Sequence, residues 1–305
     1  MTTRFSSKIF IAAALGTVLM GLGACKDAPR ATSSAPAMET ASWPDLAHRI
    51  KCLPSAGALV AAHRGTSRNQ GLAENALTSL DALITAGIKI AEVDVSRLKS
   101  GEHILFHDGV WDDKSTGRGA VTAAQYKDAT NYLLLDTNGR PTADRPALLK
   151  AYLERARGHI HVEIDFKSSA NYEAVIRIIR QTQMSDDVVL IAYSKGQAVK
   201  LSRLAPKMAL SVPVKKFGDI KAYRAAGVRK NPLYAWIGGR ANDTALINKL
   251  TRAGIPILAK GRLPVSAGPA SVIVSDYAMD QPVFEGAVGL SKTGKALYQS
   301  CLSRA

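Results

Sequence analysis

Aromatic residues are scarce in this 305-residue chain, at 6%, and there are only three cysteines. The excess of base is large, a formal net charge of +15, yet the lysines and arginines are spread along the chain with no aromatic residues interleaved among them. Nucleic-acid-binding surfaces combine clustered base with stacking rings or a recognisable module, so that class of partner is set aside. No internal repeat is evident, which removes repeat architectures. The one long apolar run, "IFIAAALGTVLMGLGA", lies near the amino terminus and is too short and too glycine-rich to read as a membrane span. What the basic excess does offer is attraction for phosphate-bearing ligands or an anionic membrane, without choosing between them.

The same run reads as a secretion signal, because Arg4 and Lys8 precede it; residues 1–24 are then removed rather than folded. It ends in "LGAC", which resembles the lipobox of bacterial lipoproteins. That resemblance implies cleavage before Cys25, lipidation of the new terminal cysteine, and a place in the bacterial cell envelope facing the periplasm or the exterior. An ordinary secretory signal with an incidental cysteine is the alternative. Residues 25–45 are rich in Ala, Ser, Thr and Pro without apolar periodicity, which is how a flexible tether reads. Residues 46–305 suffice for one large domain. Cys52 and Cys301 flank it, and in an oxidising compartment such a pair reads as one disulfide joining the domain's ends. Two unpaired thiols are the other possibility.

Within that domain, eight short runs rich in Val, Ile and Leu recur, at residues 58–63, 88–95, 159–166, 187–194, 208–214, 232–238, 255–261 and 270–276. Helical patterns such as "ALTSLDALITAG", "NYEAVIRIIRQTQ" and "DTALINKLTRAG" lie between them, several closed by the glycine that helix ends favour. Strands alternating with helices predict a parallel sheet covered by helices, and eight strands predict a closed TIM (β/α)8 barrel. An open doubly wound sheet is the alternative. "HILFHD", residues 103–108, follows the second strand too soon for a helical crossover and reads as the returning arm of a hairpin.

Chemistry in such barrels gathers at the carboxyl ends of the strands. Those ends carry His63 and Arg64, then Glu92 and Asp94, then His107 and Asp108, then Glu163, Asp165 and Lys167. Side chains two apart on a strand share a face. Glu92, Asp94 and a carboxylate of the third strand therefore form an oxygen-rich site suited to Mg²⁺ or Ca²⁺. Arg64, Lys167 and the cation suit a phosphodiester, with the histidines as acid and base. Each signal has a plain alternative: a strand-end histidine that only hydrogen-bonds, an "EVDV" strand with one wet face, a lysine in solvent. Their joint clustering, on strands otherwise apolar, is what points to a site.

The stretch from "AHRGTSRNQGLAEN" through "AEVDVSRLKSGEHILFHDGVWDDKSTGRG" resembles the amino-terminal half of the glycerophosphodiester phosphodiesterase family. "HIHVEIDFKSS" is similar to its third strand, and "VIVSDY" to its closing one. The resemblance implies a TIM barrel of the phosphatidylinositol phospholipase C-like type, one divalent cation, Mg²⁺ or Ca²⁺, and a small phosphodiester as substrate. It implies His63 and His107 as general acid and base, Arg64 as phosphate ligand, and Glu92 and Asp94 as metal ligands. Glu74 and Asn75 fall on a pair that lines the site. Family members usually carry E-x-K on the third strand, where this chain has "EIDFK". Aligning on Lys167 makes Asp165 the metal ligand; aligning on the glutamate makes it Glu163. The first keeps the cation that phosphate needs, and the related sphingomyelinase D branch has a similar D-x-K.

Other positions depart from the family. Its aromatic seventh strand is "ILAKGR" here, which turns Lys260 toward the pocket, and Trp236 reads first as core and second as a replacement stacking surface. Tyr193, Ser194 and Lys195 border the alcohol group. The activity implied is hydrolysis to glycerol phosphate and an alcohol. Two alternatives are a lysophospholipase D or sphingomyelinase D-like action on larger lipids, and a non-catalytic lipoprotein that binds envelope lipid or glycan.

Overall fold

The runs rich in β-branched residues form strands, and the structure, a computed structural model, describes residues 43–240, 243–261, 270–280 and 282–304. The signal, Cys25 and the tether up to residue 42 lie outside the described residues. The chain enters helix α1 (Leu46–Cys52) and strand β1 (Ala58–Ala62), then α2 (Leu77–Thr85) and β2 (Ile90–Arg97). A short β3 (His103–Leu105) follows, with α3 (Tyr126–Ala129), α4 (Leu149–Ala156) and β4 (His161–Phe166). Regular alternation then runs through α5 (Tyr172–Gln181), β5 (Val188–Ile191), α6 (Lys195–Leu204), β6 (Ala209–Pro213), α7 (Gly218–Ala225), β7 (Leu233–Trp236), α8 (Thr244–Arg252) and β8 (Ile257–Lys260). Last come β9 (Val272–Ser275), β10 (Ala287–Val288) and α9 (Lys292–Leu302).

Eight strands run parallel in the order β1-β2-β4-β5-β6-β7-β8-β9, and β9 pairs back onto β1 with Leu59 opposite Val272 and Ala62 opposite Ser275. Closure excludes the open sheet. The expected hairpin is present: β3 lies antiparallel to β2, with Val95 opposite Leu105 and Arg97 opposite His103. β10 pairs antiparallel with the start of β1. That strand and the two terminal helices have no counterpart in the sequence reading, because their apolar residues are too few to make a period stand out.

Burial explains both patterns. Inward positions such as Leu59, Ile90, Val189, Tyr234, Leu258 and Val272 pack with Leu46, Tyr298 and Leu302 of α1 and α9 into a plug near the amino-terminal end of the barrel. The alternate positions, among them Val60, Val93, Ile164, Leu190 and Val212, pack outward under the helices. Strands buried on both faces read as near-continuous apolar runs, so carboxylates inside them are conspicuous. Cys52 and Cys301 are joined, with Sγ atoms 1.97 Å and Cα atoms 5.6 Å apart, which links α1 to α9.

Candidate active site

β2 and β4 lie in register, Glu92 opposite Glu163 and Asp94 opposite Asp165. All four carboxyls enter the barrel and none of the residues is more than 5% exposed. Oxygens of Glu92, Asp94 and Asp165 lie within 4.8 Å of one another. Burial, and then the charge of Asp94, hold the Glu92 carboxyl well above the usual carboxylate range. Lys167 folds over the pair, its Nζ 2.6 Å from Asp94 Oδ1 and 2.7 Å from Asp165 Oδ2. Burial opposes the ammonium charge, but the two aspartates outweigh it and raise its pKa.

One lysine does not balance three carboxylates, and Asp165 Oδ1 is buried without a hydrogen-bond partner. Hard oxygen donors, surplus negative charge and an unused lone pair fit a divalent cation. Glu163, the alternative third-strand ligand, lies one pleat deeper and outside the converging set. Burial alone lifts its carboxyl to about 8. Asp165, the residue that alignment on Lys167 selects, is the one that lies opposite Asp94 in the converging set.

Arg64 leaves β1 in the left-handed region, φ +55°. Its backbone N–H donates to Glu92 Oε2 at 2.8 Å, which offsets the strain. Gly65 follows at φ +59°, where a Cβ would come within 2.9 Å of the buried Tyr152 hydroxyl. The Arg64 guanidinium lies 3.0 Å from Glu74 Oε2 through Nη1 and 3.0 Å from His107 Nε2 through Nη2. Lys114 Nζ occupies the second oxygen of Glu74 at 3.2 Å. Both oxygens of Glu74 are thus engaged by side-chain cations, so it orients Arg64 rather than joining the triad. Asn75 is 1% exposed and stands behind Asp94: Oδ1 accepts the Asp94 N–H and Nδ2 donates to Asp94 Oδ2, both at 2.9 Å. It holds a triad carboxylate in place from within the protein.

The hairpin brings His107 back to this end of the barrel. His107 Nδ1 is 2.6 Å from Asp108 Oδ1, and His63 Nδ1 is 2.5 Å from Asp276 Oδ1. Carboxylates only accept, so each Nδ1 carries a proton, which leaves Nε2 as the ring position that can take up or give up another. His63 Nε2 lies 4.0 Å from Glu92 Oε2. Burial pushes Asp276 upward, but the bond to His63 prevails and its carboxyl sits below its ordinary value.

His63, His107, Lys167 and the four carboxylates of β2 and β4 line a cavity of about 250 Å³ whose wall also includes Ile191, Tyr193, Ser211, Pro213 and Trp236, whereas Arg64, Glu74 and Asn75 are not among its lining residues. Trp236 is half-buried: it packs against the inner cluster that holds Tyr234 and Leu258 and also lines the cavity. Tyr193 is 64% exposed, yet its hydroxyl donates to Asp165 Oδ2 at 2.9 Å. Ser194 instead caps α6 and Lys195 is its exposed first residue. Lys260 ends β8 exposed and is not among the lining residues. Asp276, Lys114 and Tyr152 were assigned no role from sequence. Asp276 was legible only as the aspartate of "VIVSDY".

Two imidazoles anchored at Nδ1, lining one cavity with a converging triad of buried carboxylates, are the groups that barrel hydrolases of phosphate esters use. The model of the Glycerophosphoryl diester phosphodiesterase family matches residues 63–254, and the chain belongs to that family. The matched span opens on His63, takes in Lys167, and ends before Asp276. A glycerophosphoryl diester phosphodiesterase of Parabacteroides distasonis superposes with a TM-score of 0.67 at 20% identity, over 76% of this chain and 88% of that one. A glycerophosphodiester phosphodiesterase of Agrobacterium tumefaciens gives 0.62 at 19% identity, over 72% and 96%. A phosphodiesterase of Oleispira antarctica, solved in complex with the product sn-glycerol-3-phosphate, gives 0.58 at 17% identity, over 76% and 96%. At these identities the likeness is one of fold. No curated protein matches by sequence.

Proposed function

We propose that this chain hydrolyses glycerophosphodiesters to glycerol 3-phosphate and an alcohol. The observation that carries the reading is the pairing of two imidazoles, each tethered through Nδ1 to a carboxylate, in one cavity with the buried triad. Glu92, Asp94 and Asp165 would hold Mg²⁺ or Ca²⁺, which supplies charge neutralisation at the phosphate oxygens when bound. Arg64, kept charged by Glu74 although burial opposes it, adds a second positive group. One imidazole, unprotonated at Nε2, takes the proton of the attacking hydroxyl, and the other, entering as the imidazolium, delivers its Nε2 proton to the departing alcohol oxygen as the P–O bond breaks. Asp276 and Asp108 keep the rings oriented through both transfers.

The same reading places the protein in the bacterial envelope as a lipoprotein: a signal over residues 1–24, a lipid on Cys25, a tether to residue 45 and a single domain beyond. Labelled palmitate incorporated into the wild type and absent from Cys25→Ala supports that part; labelling of both overturns it. For the activity, chelator-treated protein is assayed for glycerol 3-phosphate release from glycerophosphocholine and glycerophosphoethanolamine. Turnover restored by Mg²⁺ or Ca²⁺ and abolished in His63→Ala and His107→Ala is the expected result. Silence with a cation bound, or turnover insensitive to chelation, overturns it.

A further inference from the structure

The cysteine pair that joins α1 to α9 has a third neighbour that a disulfide does not need. His48 and Cys52 are four residues apart on α1, so their side chains leave the same face of the helix. Cys301 approaches from α9 and completes a group in which an imidazole nitrogen and two sulfurs all lie within 4.8 Å of one another. His48 Nε2 is 3.4 Å from Cys52 Sγ and 3.2 Å from the carbonyl oxygen of Cys301. A carbonyl only accepts, so Nε2 carries the ring proton in the oxidised protein.

Access to the two sulfurs is unequal. Cys52 is buried in the plug with Leu46, Tyr298 and Leu302, whereas His48 and Cys301 are half-buried. A dithiol reductant therefore attacks Cys301 Sγ: a mixed disulfide forms there and the bond to Cys52 breaks. The departing Cys52 sulfur lies beside the Nε2 proton of His48, a contact that favours the thiolate. The reductant's second thiol then releases Cys301. The dithiol ends as its own disulfide, two electrons have passed to the protein, and Cys52 and Cys301 are thiols. Two sulfurs and an imidazole now converge from two helices that the plug still packs together. Such donors suit zinc and other soft divalent cations, whereas the all-oxygen triad suits hard ones.

We infer that reduction converts the Cys52–Cys301 link into a zinc site held by His48 Nε2, Cys52 Sγ and Cys301 Sγ, so that the two terminal helices are clamped in either redox state. Each thiol gives its proton to solvent as its sulfur binds Zn²⁺, the ring proton of His48 moves from Nε2 to Nδ1, and water takes the fourth position. The site belongs to the plug, and it does not depend on the phosphodiesterase reading.

The test uses the full chain in a Cys25→Ala background, so that only Cys52 and Cys301 supply thiols. Three forms are prepared both oxidised and phosphine-reduced: the background chain, His48→Ala, and Cys52→Ser combined with Cys301→Ser. Each is titrated under nitrogen with Zn²⁺ against a chromophoric chelator, and with Co²⁺ followed in the ultraviolet. The oxidised chain reports any cation that the carboxylate triad takes. The reduced chain is expected to bind one Zn²⁺ more than the oxidised one, and to show with Co²⁺ a thiolate charge-transfer band that the oxidised chain lacks. His48→Ala is expected to weaken the extra site by at least about tenfold, and the double cysteine variant to lose it. Equal zinc counts in the two redox states overturn the inference, as does an extra zinc whose affinity His48→Ala leaves unchanged. Zinc is also expected to raise the unfolding midpoint of the reduced chain and not that of reduced His48→Ala. If reduction unfolds the chain, Zn²⁺ is expected to restore its native circular dichroism, and zinc that binds without restoring it overturns the clamp.

Discussion

Asn75 offers a sharp test of how the triad is built. Its side chain receives the Asp94 backbone N–H on Oδ1 and donates to Asp94 Oδ2, each at 2.9 Å, while its own backbone N–H reaches the Arg64 carbonyl at 2.7 Å. It does so at φ +58°, in the left-handed region that asparagine tolerates better than most residues. Replacement by alanine removes a hydrogen bond to a charged group, about 1.5–3 kcal/mol, and strands a buried amide, about 1 kcal/mol. A Cβ without a local polar partner adds about 1 kcal/mol of backbone strain, so Asn75→Ala is expected to lose about 4 kcal/mol. Asn75→Gly loses the same two bonds without the strain and lies about 1 kcal/mol above alanine in stability. Asn75→Asp keeps the acceptor but sets a carboxylate against Asp94, so its deficit shrinks as pH falls through the carboxylate range. Urea unfolding followed by tryptophan fluorescence, with cation affinity measured on the same variants, reads all three. A loss below about 1 kcal/mol for Asn75→Ala, or glycine and alanine indistinguishable, refutes the reasoning.

Four further outcomes are expected. Asp276→Asn frees Nδ1 of His63 from its carboxylate, so kcat should fall by about 100-fold with KM nearly unchanged; an unaltered kcat would show that the ring needs no such anchor. Asp165→Asn removes one triad anion and is expected to weaken Mg²⁺ binding at least tenfold by calorimetry, whereas unchanged affinity would take Asp165 out of the metal site. Burial, then Arg97, push His103 from 6.5 to about 4. The unfolded chain therefore binds a proton there first, and stability should drop by about 3 kcal/mol as pH falls from 6.5 to 4; His103→Gln should flatten that slope, and an identical slope in the variant would refute it. The Cys52–Cys301 link spans 249 residues, so Cys52→Ser with Cys301→Ser should cost about 5 kcal/mol in the chain-entropy account, read as a lower unfolding midpoint; equal midpoints would show that α1 and α9 hold the ends together unaided.

Local periodicity was enough to place β1, β2, β4 and the hairpin arm, because strands buried on both faces leave long apolar runs and a two-residue repeat assigns Glu92, Asp94, Glu163 and Asp165 to one face. His63, Arg64, His107 and Lys167 were legible for the same reason: charge at the tip of such a run is conspicuous. Contacts that join distant segments were not. His63 meets Asp276 across 213 positions, and no local pattern states that spacing. Glu74 faces Lys114 and Arg64 instead of the triad, and Asn75 is hidden behind Asp94, only because the loop after β1 turns back over β2.

The chain's own pattern determined the strand and helix alternation, the inward face of the carboxylates and the histidines, arginine and lysine at the strand tips. Tertiary structure alone decided which carboxylates converge and which aspartate holds each imidazole. The physical reason is that sidedness follows from bonds between near neighbours, whereas depth and partnership follow from how the sheet closes, with β9 laid against β1.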